Sequence, residues 1–190
     1  MVAVVLRAIS LTGFLWVALG SPAFATQVVP ISLKDISARS EVVVHGVVTD
    51  QEVRWSDDKA RILTLTTLRV LETLKGGTLG PEVVIYQVGG ALDGVVFRIP
   101  GAVKLQKGEE IVFFGTPYKD MLVSFGMGLG KYKVDRALGK VLVRPEFGDV
   151  AFVKKDSRGQ LQNAPAPAPK GVTLSALKRV VRYGVKGAKR

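Results

Sequence analysis

The chain has 190 residues, with 27 lysines and arginines against 16 acidic residues, one histidine and no cysteine. The missing thiol excludes disulfides, thiol catalysis, thiolate metal sites and iron–sulfur clusters, so packing alone must hold the fold. Valine, leucine, isoleucine and glycine dominate and aromatics are few, which favours β-structure over disorder.

Residues 1–25 read as a cleavable secretory signal. Arg7 gives a short positive start, residues 8–19 an apolar run, Ser21-Pro22 a helix break, and Ala23-Phe24-Ala25 a small–x–small cleavage pattern. The apolar run is about a dozen residues, short of the ~20 that a membrane span needs. The expected mature chain begins at Thr26 and works in the periplasm or outside the cell. It carries no lipid-anchoring cysteine and no second long apolar segment.

Residues 31–40 predict a short helix, with Ser32 and Asp35 as a capping-box-like start and Leu33, Ile36 and Ser37 on one face. Residues 41–50 predict a strand rich in valine, with a bend or bulge at Gly46. Residues 51–59 read as a polar loop. The alternation over residues 60–74 predicts a long strand, ended by Lys75-Gly76-Gly77. Further strands are expected at 82–88, 95–99, 110–115 and 121–125, with Gly89-Gly90 and Asp93-Gly94 as turns. Residues 131–134 and 140–144 form a hairpin around residues 137–139. Short strands with regular turn signals imply an antiparallel barrel or sandwich. Residues 163–171 are an extended Ala-Pro linker. They tether residues 172–190, whose helix carries Leu174, Leu177, Val180 and Val181 on one side and basic residues on the other; either the apolar side packs on the barrel or the basic side meets an anionic surface.

Charge is uneven along the chain. Residues 34–158 hold nineteen basic and sixteen acidic side chains, a net +3, whereas everything from Ala164 onward holds seven basic and no acidic ones. A mildly basic body with a basic tail points to a polyanion or anionic lipid rather than to nucleic acid. Lys178, Arg179, Arg182, Lys186, Lys189 and Arg190 are the residues expected to make that contact.

Three blocks carry a resemblance. They are residues 33–48, with Ser40-Glu41-Val42-Val43-Val44-His45-Gly46; residues 64–76, ending Leu74-Lys75-Gly76; and residues 107–114, Lys107-Gly108-Glu109-Glu110-Ile111-Val112-Phe113-Phe114. Their order and spacing resemble a recurrent domain of exported bacterial proteins. More distantly, they resemble the OB-fold of netrin-like and metalloproteinase-inhibitor domains. The resemblance covers residues 31–134 and implies an OB-like antiparallel barrel; with the strand pattern it gives an all-β or β-rich α+β domain over residues 26–162 with a short N-terminal helix, ahead of the basic C-terminal helix. It also raises regulation of an exported protease. The inhibitors' zinc clamp uses an N-terminal cysteine anchored by a disulfide, which Thr26 does not supply.

Other candidates read as structural. His45 stands alone on a strand with no nucleophile pattern or second metal ligand nearby. Asp57-Asp58 is a pair of loop carboxylates without a calcium-loop signature. Glu109 and Glu110 are adjacent strand residues and so face opposite ways. Residues 126–130, Gly-Met-Gly-Leu-Gly, precede a strand rather than the helix that a phosphate cradle needs, and read as a bulge or barrel corner. Trp55, Tyr86, Phe97, Tyr118, Phe125 and Tyr132 are scattered along the sequence, without the stacking platform of nucleic-acid binders. The chain therefore reads as a non-enzymatic binding module with no catalytic residue, metal or cofactor. Its partner is a protein or an anionic envelope component, met through the tail, the Trp55 loop or residues 88–100. A metal-dependent hydrolase would need a ligand cluster that a single histidine does not provide.

Overall fold

Two runs of alternating side chains build the centre of the fold. Val42–Trp55 (β2) and Ile62–Lys75 (β3) pair antiparallel from Val43↔Lys75 to Trp55↔Ile62. The computed structural model describes residues 26–136, 139–168 and 170–184; the expected signal peptide lies outside them. Around β2 and β3 the described elements are Thr26–Val28 (β1), Leu33–Arg39 (α1), Glu82–Val88 (β4), Gly90–Leu92 (β5), Val95–Phe97 (β6), Glu110–Tyr118 (β7) and Met121–Ser124 (β8). Then follow a 3-10 turn at Met127–Gly130, Lys131–Asp135 (β9), Leu142–Pro145 (β10), Val150–Lys155 (β11), Leu161–Asn163 (β12), Val172–Thr173 (β13) and Leu174–Gly184 (α2).

The main sheet runs β13-β10-β9-β7-β2-β3-β4-β8, and it curls until β8 also pairs with β7. Most pairings are antiparallel. The exceptions are β4 with β8, at Ile85↔Leu122, and β1 with β11, so the wholly antiparallel expectation is corrected at these two places. β1, β11 and β12 form a small separate sheet, and β5 and β6 a two-stranded hairpin. No described helix is long and apolar enough to cross a membrane.

Successive strand residues face opposite sides, and here both sides are buried. Val44, Val48, Leu68, Ile85, Ile111, Phe113 and Leu122 fill the inside of the curl. Val43, Leu74, Val112 and Phe114 point outward and meet Ile36 of α1 and Leu174, Leu177 and Val181 of α2. That is why Val42-Val43-Val44 and Ile111-Val112-Phe113-Phe114 are unbroken apolar runs. Each fully buried side chain of this size contributes roughly 1.5–3 kcal/mol. Gly46 sits at a register shift, and a Cβ there would lie 2.5 Å from the Arg69 carbonyl oxygen and 2.8 Å from Leu68 Cγ. The expected bulge is therefore also a point of close backbone approach.

Helix α1 starts where the capping pattern places it. Ser32 Oγ accepts the Asp35 N–H at 3.1 Å and donates to the Asp35 carboxylate at 2.6 Å. Its C-terminal end is closed from a distance: Lys75 Nζ donates to the carbonyls of Ser37, Ala38 and Ser40 at 2.8, 3.0 and 2.5 Å. The ammonium thus satisfies acceptors left open at a helix terminus. Burial pushes its pKa down.

One expectation changes and one open alternative closes. The polar loop at residues 51–59 is in large part strand, because β2 continues to Trp55 and only a tight turn separates it from β3. Of the two readings of the tail helix, the structure has the one in which its apolar side packs on the sheet. β13 adds to the sheet beside β10, and Leu174, Leu177 and Val181 are core residues.

Candidate functional site

The site begins where β4 ends. Gly89 and Gly90 have φ of 114° and 147°, and a Cβ on Gly90 would lie 2.9 Å from Thr64 Oγ1 and Val53 Cγ1. Only glycine lets the chain cross so closely over β2 and β3. Thr64 Oγ1 donates to the Gly89 carbonyl at 2.7 Å and fixes the crossing. The chain then turns at Asp93-Gly94, both with positive φ (51° and 76°), as a two-residue primed turn requires. Trp55 Nε1 donates to Asp93 Oδ2 at 2.8 Å, tying the hairpin tip to the far end of β2.

The returning strand, β6, is exposed at all three positions. Val95, Val96 and Phe97 are 47%, 66% and 41% accessible. After Pro100-Gly101 the chain runs back along the sheet, held by two glutamines. Gln87 Nε2 donates to the Val103 carbonyl at 2.7 Å, and Gln51 Nε2 to the Leu105 carbonyl at 3.0 Å. Two cavities, each of about 480 Å³, result beside the hairpin. They share Gln87, Val88, Phe97, Ile99, Ala102 and Val103, so they form one groove with two lobes. One lobe has Arg98, Lys104 and Asp149 at its rim; the other has Arg61, Tyr86 and Met127. Lys104 bridges Asp149 at 2.7 Å and holds its carboxyl below the usual aspartate range. Arg61 and Arg98 are exposed, and among the described residues their guanidinium groups make no hydrogen bond or close ion pair. Their electrostatic partners are Asp58 and Asp149.

The other candidates lie elsewhere. His45 is 4% exposed, with Nε2 2.8 Å from Glu110 Oε1. Arg136 grips the same carboxylate through two 2.6 Å bonds, and this grip, with the histidine's hydrogen bond, holds the Glu110 carboxyl below its ordinary range. The imidazole is an interior polar group oriented by a carboxylate. Glu109, just ahead of β7, faces the other way. It meets Lys131 Nζ at 2.8 Å, where that nearly inaccessible ammonium also takes Glu146 at 2.7 Å and the Lys104 carbonyl at 2.6 Å. Asp58 is a turn residue, accepting Ser56 Oγ at 2.5 Å and the Ala60 N–H at 3.1 Å. Residues 127–130 form the 3-10 turn, and Met127 reaches the groove.

The basic tail is partly spent on the fold. Lys178 and Arg182 both pair with Glu72 on β3, and the hydrogen bond from Lys178 is the main cause of that carboxyl's lowered pKa. Arg179 is exposed. Lys186, Lys189 and Arg190 lie outside the described residues. Two of the aromatics that looked scattered do meet: Tyr86 and Tyr118 have ring centroids 5.1 Å apart. Among the described residues no group of three or more histidine or carboxylate side chains is placed to hold a metal ion.

Residues 88–100 and the Trp55 segment, separate surfaces in the sequence, are joined in the structure by the Trp55–Asp93 bond. The sequence does not show the groove, which depends on the return segment lying against Gln51 and Gln87. Known proteins give no further guide: no family model matches the chain, and neither does any curated protein.

Proposed function

We propose that this chain is an exported, non-enzymatic binding module that takes a segment of a protein partner at the β5–β6 hairpin. The observation that carries the reading is the exposed Val95-Val96-Phe97 strand lying over a groove of two lobes. Exposed apolar patches rimmed by polar groups mark interaction sites. The engagement of His45 by Glu110 supports a non-enzymatic role, because the chain's one histidine is closed off from a substrate. The pairing of Lys178 and Arg182 with Glu72 favours a protein partner over a polyanion, since two of the cations a polyanion would need already have a carboxylate. The ring of pairings β7-β2-β3-β4-β8-β7, with β4 and β8 parallel, supports an OB-like reading of the curled sheet. On that reading the hairpin is an insertion after the third barrel strand. Export to the periplasm or beyond rests on the residue 1–25 pattern.

The test is affinity capture from the envelope fraction with the wild-type chain, Val96→Lys and Phe97→Ala. A partner held by the wild type and lost by both variants is expected. A partner held equally by all three, and lost only when residues 171–190 are removed, would move the site to the tail.

A further inference from the structure

The geometry points to recognition by strand addition: β6 pairs edge-on with an extended segment of the partner that alternates apolar residues and carries a carboxylate beside Arg98. This rests on the hairpin being the binding site and names what it binds. Leu92↔Val95 closes the two-residue turn, and Ala91↔Val96 follows. Antiparallel pairs alternate between bonded and non-bonded, so the second pair is non-bonded and the Val96 N–H and C=O point away from β5. No other described strand pairs with β6.

Unpaired edges are templates for pairing, and proteins blunt them with charge, proline or bulges. Here the three-residue edge is Val-Val-Phe, held by a turn with two left-handed residues and pinned by Trp55. Nothing within β6 blunts it. A strand laid on this edge presents every second side chain to one face, which suits a groove whose lobes lie beside Phe97, the one lined by Tyr86, Val88 and Val123 being mainly apolar. Charge sets the rest. Arg98 follows β6 directly, Arg61 lines the second lobe, and neither guanidinium is bonded among the described residues. The groove's one rim carboxylate, Asp149, is already held by Lys104. An acidic group on the incoming segment meets an exposed cation at either lobe, Arg98 at one and Arg61 at the other, and no free anion at the rim.

The experiment pans random heptapeptides displayed on phage against the full chain, then measures the enriched peptides as synthetic probes by fluorescence anisotropy. Enrichment of alternating apolar sequences with a terminal Asp or Glu is expected. N-methylation at successive positions should weaken binding about tenfold at the one position whose amide meets the Val96 carbonyl and leave its immediate neighbours unchanged, because Val96 is the residue of β6 whose N–H and C=O face outward. Val96→Pro, which removes one outward N–H, should cost about the same. Arg98→Glu should weaken acidic peptides several-fold and their Lys-substituted versions not at all. Peptides that bind, lose affinity with Phe97→Ala and ignore N-methylation would refute strand addition while leaving the hairpin as the site. Absence of enrichment over Val96→Lys would overturn both.

Discussion

Replacing Leu177 by alanine tests whether helix α2 is part of the fold or an appendage. Leu177 is fully buried, in a cluster with Ile36 of α1 and Val43 and Val112 of the sheet. The truncation leaves a cavity walled by two strands and a second helix, which collapse poorly, so a loss of about 3 kcal/mol is expected. With a urea m-value of about 2 kcal/mol/M for a chain of this size, the unfolding midpoint should fall by ~1.5 M. Arg179→Ala, on the exposed side of the same helix, should stay within about 0.5 kcal/mol of wild type. Equilibrium urea unfolding followed by far-UV circular dichroism reads both. A midpoint for Leu177→Ala within ~0.3 M of wild type, a shift worth under 1 kcal/mol, would mean that the helix is tethered rather than packed.

Lys75→Met keeps most of the stem but removes three charge-assisted bonds to the end of α1, and should cost about 2 kcal/mol. Hydrogen exchange at the Ile36 and Ser40 amides should accelerate, and unchanged protection would dismiss the cap. Glu72→Gln tests the tail's anchor through pH. The Glu72 pKa is lowered, chiefly by the Lys178 hydrogen bond, so its contribution is present above the ordinary value of 4.5 and lost as pH falls through the folded value. The stability gap between wild type and variant should therefore close on acidification below 4.5, and a pH-independent gap would contradict the ion pairs. Tyr132 is pushed up to about 12 by burial. Its neutral form is favoured by the fold, so that stability is present below 10.0 and lost as pH rises through about 12. Ultraviolet titration should show one late phenol that disappears in Tyr132→Phe.

The strands of the main sheet were legible because their side chains alternate or, where both faces are buried, run unbroken. The last five residues of β2 were not. Beyond Val47 the strand outruns β7 and pairs with β3 alone, so Gln51, Glu52 and Arg54 stand exposed and mimic a loop. β11 was missed because it mixes Val150 and Phe152 with Lys154 and Lys155, and its parallel partner β1 lies at the other end of the described chain. Nothing local specifies such a pairing. The basic face of α2 was legible as a face, but its target, Glu72, is a strand residue more than a hundred positions away. The Asp93-Gly94 turn was readable from two residues. The groove was not, because its walls are side chains and a return segment brought together only by folding.

The hairpin is set apart from what stabilises the molecule. Neither buried cluster contains Val95, Val96 or Phe97, and β6 adds no strand to the main sheet. Its anchors are the Gly89-Gly90 crossing and the Trp55–Asp93 bond, which position it without drawing its side chains inward. Three exposed apolar residues contribute little to the fold and carry an aggregation cost along an open edge. Packing does not account for their presence on a turn fixed by two left-handed residues, and the proposed recognition would. The separation has a measurable consequence. Val96→Lys should change the urea midpoint by no more than its surface exposure allows, within about 0.5 kcal/mol, while abolishing partner capture. A variant that unfolds much earlier than wild type would show that the hairpin is structural after all, and would remove the basis for reading its exposed edge as a binding site.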